Sequence, residues 1–76
     1  MSTRVLELRV ADASGTLVRL ALVARRFGGS IRELTVTADP ATGTARMRIA
    51  LGGDAATTAR IADRLAAFAD VHAVVR

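Results

Sequence analysis

Hydrophobic periodicity along this chain switches between two and 3.6 in a fixed order, and few folds accommodate that order. Residues 4–10 alternate, with Leu6, Leu8 and Val10 on one face and Val5, Glu7 and Arg9 on the other. That is the pattern of a half-buried strand. A helical pattern follows through Phe27. Its apolar stripe is Leu17, Leu20, Ala21, Ala24 and Phe27, with Arg19 and Arg26 turned outward. Asp12 or Ser14 can cap the helix start, and Gly28-Gly29 is a common kind of stop.

A second strand is expected over residues 30–37, with Leu34 and Val36 on its buried face and Glu33, Thr35 and Thr37 opposite. Ile31 is out of phase with this alternation, which predicts a twisted or bulged entry. Ala38-Asp39-Pro40-Ala41-Thr42-Gly43 has the residues of a turn. Residues 44–51 form the third strand, with Ala45, Met47, Ile49 and Leu51 inward and Arg46 and Arg48 outward. Gly52-Gly53 should break it, and Asp54 can cap a second helix carrying Thr58, Ile61, Ala62, Leu65 and Phe68 on one face. Asp70 is expected to end that helix, leaving residues 71–75 as a short last strand. The order is β-α-β-β-α-β, with right-handed crossovers. It predicts one α+β domain over residues 1–76, a ferredoxin-like sandwich of a four-stranded antiparallel sheet with two helices on one face.

Seventy-six residues lie near the lower limit for a domain that folds alone. The apolar fraction, 51%, is enough for a core, but 16 of those residues are Ala and bury little area each. Association into at least a dimer is therefore expected. The absence of Cys excludes disulfides, thiolate metal sites and thiol catalysis. No apolar run approaches the ~20 residues that span a bilayer, and the start lacks a secretory pattern, so a cytoplasmic protein is expected. The formal charge of +4 comes entirely from Arg on the basic side, spread along the chain and interspersed with Asp and Glu. This reads as ordinary solvated surface rather than a nucleic-acid footprint.

The stretch Asp12-Ala13-Ser14-Gly15-Thr16-Leu17 is the one candidate site. A glycine at a strand-to-helix turn lets an anion approach the unpaired N–H groups of the helix start, where the dipole favours it. Asp12 is either a cap or a ligand contact, and the sequence does not decide between them. Base stacking on the sheet needs aromatics at Glu7, Arg9, Arg46 or Arg48, and the only aromatics, Phe27 and Phe68, lie on the helix stripes. His72 has no Ser or Cys partner nearby in sequence. No catalytic residue, metal ligand or cofactor is expected.

The run Asp12-Ala13-Ser14-Gly15-Thr16-Leu17-Val18-Arg19-Leu20 resembles the Asn/Asp-x-Pro-Gly-x-Leu turn and helix of ACT domains. Arg25-Arg26-Phe27-Gly28-Gly29-Ser30-Ile31-Arg32-Glu33-Leu34-Thr35-Val36 is similar to the Arg-Gly-(Phe/Tyr)-Asn-Ile-x-x-Leu-Thr-Val segment of acetolactate synthase small subunits. Residues 65–75 are similar to their Leu-x-x-Leu-x-Asp-Val-x-x-Val ending. The resemblance implies regulation without catalysis: ACT domains commonly pair side by side, and amino acids bind between the first turn of one subunit and strand two of its neighbour. It implies a homodimer or higher oligomer, an acetolactate synthase catalytic subunit as partner, and a branched-chain amino acid such as valine as effector. Gly15, Thr16 and Leu17, with Ser14 beside them, would then offer the effector carboxylate N–H groups. Asp12 would face its ammonium, and Ser30 with Ile31 would close the site from the partner. A freestanding amino-acid sensor acting on another enzyme or on transcription is the alternative. Val18 and Leu22 on the helix exterior are candidate partner surface.

Overall fold

The structure is a computed structural model describing residues 2–75; Met1 and Arg76 lie outside that description. The elements are β1 (Ser2–Val10), α1 (Ala13–Phe27), β2 (Ser30–Asp39), β3 (Thr44–Gly53), α2 (Ala55–Ala66) and β4 (Val71–Val75). The strands form one sheet in the order β2-β3-β1-β4, and every neighbouring pair is antiparallel. This is the ferredoxin-like arrangement that the periodicity predicts.

Alternation decides which sheet face the helices cover. Leu6, Leu8 and Val10 of β1 and Ala45, Met47, Ile49 and Leu51 of β3 are buried in one core. Leu20 and Ala24 of α1 and Ile61, Ala62 and Leu65 of α2 fill that core from above. Val5, Glu7, Arg9, Arg46 and Arg48 stay exposed on the opposite face. The helix ends follow from local chemistry. Gly28 adopts φ 76°, a left-handed conformation that suits glycine, and donates to Arg25 O while Gly29 donates to Ala24 O. Asp54 caps α2 by accepting from the Thr57 N–H at 2.7 Å.

The β2–β3 register shifts between Ile31 and Glu33, so the phase break in the sequence is a bulge. Four expectations need correction. Strand β3 runs through Gly52-Gly53 rather than breaking there, because Ser30 and β1 residues Ser2 and Thr3 pair with those glycines. Helix α2 stops at Ala66, with Ala67 as its cap, and Asp70 lies in the turn leading to β4. The α1 stripe is rotated: Thr16, Leu20 and Ala24 are buried, whereas Leu17 and Ala21 are exposed. Val36 is also 45% exposed, since β2 is an edge strand with helix cover on only part of its length.

Candidate functional site

The β1–α1 turn closes on itself. Asp12, in extended conformation, accepts from the Gly15 N–H through Oδ1 at 3.2 Å and from the Thr16 N–H through its carbonyl at 3.0 Å. Asp12 is therefore a helix cap. Gly15 permits this geometry, because a Cβ there would stand 2.6 Å from Asp12 Oδ2. Two of the donors expected to face an anion, those of Gly15 and Thr16, are thus committed to Asp12. The N–H groups of Ala13 and Ser14, in the first turn of α1, have no intrahelical acceptor and remain at the helix start.

Beneath the turn lies a polar latch that sequence reasoning missed. Thr16 is fully buried, and its Oγ1 donates to Asp70 Oδ2 at 2.8 Å. Arg19 forms an ion pair with the same Asp70 oxygen and stacks its guanidinium 5.1 Å above the Phe68 ring. The Asp70 carbonyl accepts from the Ala11 N–H at 2.9 Å. The Thr16 hydroxyl, foremost, holds the Asp70 carboxyl below its ordinary value, with a backbone donor and Arg19 adding to the effect against partial desolvation. Asp70 Oδ1 is buried without a partner among the described residues. The latch ties the α2–β4 turn to the start of α1. Its members are separated by 54 positions in the chain, and no local pattern signals their meeting.

The predicted site residues fall into two groups. Asp12, Ser14, Gly15, Thr16 and Leu17 share the start of α1, with Asp12, Ser14 and Leu17 exposed. Ser30 and Ile31 begin β2, past the far end of the same helix. A 15-residue helix is about 22 Å long, so one chain cannot bring the two groups together. Gly29, beside Ser30, packs closely: a Cβ there would lie 2.5 Å from Ile61 Cδ1. Among the described residues, no group of His, Cys, Asp or Glu is placed to hold a metal ion. None of the described helices is long and apolar enough to cross a membrane.

No protein-family model and no curated protein sequence matches the chain. Solved structures do match it in fold. The acetolactate synthase small subunit from Thermotoga maritima superimposes with a TM-score of 0.80 at 23% identity, over 99% of this chain and 47% of that one. The ACT domain from GTP pyrophosphokinase of Chlorobium tepidum gives 0.74 at 17% identity, over 97% of this chain and 95% of the other. A homoserine dehydrogenase from Thiobacillus denitrificans gives 0.75 at 14% identity, over 99% of this chain but 17% of its own. The chain has the fold of an ACT domain and resembles the acetolactate synthase small subunit, of which it spans about half the length.

Proposed function

We propose that this chain is a non-catalytic regulatory domain that pairs through the β2 edge and acts on a catalytic subunit, with acetolactate synthase as the partner. The observation that carries this reading is the separation of the two halves of the site along α1. Antiparallel pairing of β2 with β2 of a second copy sets the partner's Ser30 end beside the Asp39 end of this strand. That is the end of the sheet where the Asp12 turn lies, since Val10, Ala45 and Ala38 are in register there. Ser30 and Ile31 of the second copy thereby complete the site begun by Asp12 and Ser14. An amino-acid effector places its carboxylate on the Ala13 and Ser14 N–H groups, favoured by the helix dipole. Alternatively, it displaces the Asp12 side chain from Gly15. The effector class follows the resemblance: a branched-chain amino acid of the valine type.

The test combines this chain with the catalytic acetolactate synthase subunit of the same organism. Co-purification and a changed rate or a new valine response are expected. Should the rate and the effector response both stay unchanged, acetolactate synthase is not the partner. A second reading, a freestanding amino-acid sensor, rests on the Ala13 and Ser14 N–H groups at the start of α1, which can receive a carboxylate without a catalytic partner. It requires a heat of binding for one of the twenty amino acids with no partner present. Calorimetry without such a signal removes it.

A further inference from the structure

We propose that the bare face of the sheet carries an oxyanion site at its hairpin end, built on Arg9 and Arg46 and taking a single carboxylate or phosphate group. Side chains on that face stand in rows across β2, β3 and β1. One row is Thr35, Arg48 and Glu7, in which an acid directly opposes a base. The next row toward the hairpin is Thr37, Arg46 and Arg9, in which two arginines stand directly opposite on neighbouring strands. Like charges directly across a strand pair are unfavourable unless something of opposite sign lies between them. Among the described residues, no carboxylate lies within salt-bridge distance of either.

The same two arginines line a cleft of about 260 Å³, with Thr37, Ala38, Asp39 and Thr44 completing its wall. Paired guanidinium forks offer parallel N–H donors at the spacing of two oxyanion oxygens. The Thr37 hydroxyl adds a neutral donor from β2. Asp39 is tied to the hairpin turn, where its Oδ1 accepts from the Ala41 N–H at 3.1 Å. Its charge leaves the cleft with one net positive charge, which suits one compact anionic group and opposes a polyanion such as nucleic acid. The site lies on the sheet face opposite the helices, and its two arginines belong to the inner strands β1 and β3 rather than to the β2 edge.

Titration of the full chain with inorganic phosphate and, separately, with acetate tests this, followed by ¹H–¹⁵N spectra at ionic strength held constant with chloride. Saturable shifts are expected at the Thr37 and Thr44 amides and the Arg9 and Arg46 side-chain N–H groups. The anion that produces them identifies the group bound. Arg46→Gln should weaken binding roughly tenfold, as the loss of one charge-assisted contact does, and Arg9→Gln should repeat that loss from the neighbouring strand. Arg48→Gln, in the balanced row, should leave it unchanged. Shifts that fail to saturate with both anions, or that persist in Arg46→Gln and Arg9→Gln as in the wild type, overturn the proposal.

Discussion

A Cβ on Gly15 would stand 2.6 Å from the Asp12 carboxylate, so the cap and the glycine behave as one device. Asp12→Ala should cost about 1 kcal/mol, the usual worth of an N-cap. Gly15→Ala gains roughly 0.5–1 kcal/mol of helix propensity but pushes the Asp12 side chain off its donor. The gain should therefore be nearly cancelled in the wild type and recovered in an Asp12→Ala background. Urea unfolding of the four proteins reads this coupling, and strictly additive changes would show that the cap does not depend on Gly15. Asp70 makes a separate prediction. Its folded carboxyl titrates below the ordinary 3.8, so between those two values the unfolded chain binds more protons. Its stabilising contribution is complete above the unfolded value and is lost as pH falls through the folded one. The gap in urea midpoint between wild type and Asp70→Asn should thus be constant near neutrality and close in acid. A gap that persists undiminished at about pH 2 contradicts the latch.

At the scale of elements, periodicity alone carried the order of strands and helices, and the misphased Ile31 marked its bulge. Hairpin and capping residues were equally legible, because Asp39, Asp54 and Gly28 act on neighbours within five positions. What was not legible depends on how elements stack. Val36 alternates correctly yet stays exposed because it lies on an edge. Leu17 fits an apolar helix stripe, yet the buried position belongs to Thr16, drawn in by Asp70 from the far end of the chain. Ambiguity over Asp12 ended only once its contact with Gly15 was visible. Gly29 is another stacking effect, since fully buried Ile61 occupies the space a side chain would need. Gly29→Ala should destabilise by about 1–3 kcal/mol through overpacking. Ile61→Val removes the clashing Cδ1 and should recover part of that loss. Thermal unfolding checks it: equal penalties for Gly29→Ala in both backgrounds would place the strain elsewhere.

For the molecule as a whole, the asymmetry of its surface bears on association. Val18 and Leu22 project from α1 at 61% and 62% exposure, four residues apart and therefore on one helix face. Nearby β2 is an edge of ten residues without proline, and Ile31 and Val36 on it are also exposed. A long edge, regular beyond the bulge at its start and set beside apolar helix surface, is a template for a second strand. A twofold axis beside β2, perpendicular to the sheet, would pair the two edges antiparallel, extend the sheet to eight strands and bring two α1 faces into reach of one another. Burying Val18 and Leu22 contributes roughly 1.5–3 kcal/mol for each side chain, doubled by symmetry. Together that is roughly 6–12 kcal/mol, within the range of estimates for the freedom lost on association, about 4–15 kcal/mol, so the apolar helix contact decides the balance. Sedimentation equilibrium of the wild type should give twice the chain mass, with a melting temperature that rises with concentration. Leu22→Glu should sediment as a monomer and lose that concentration dependence. Val5→Glu, the same kind of change at an exposed apolar residue on the bare sheet face, should remain a dimer. Dissociation by Val5→Glu with Leu22→Glu still dimeric would move the interface from the β2 edge to the open face, and the Ser30 half of the proposed effector site would then have no partner turn to meet.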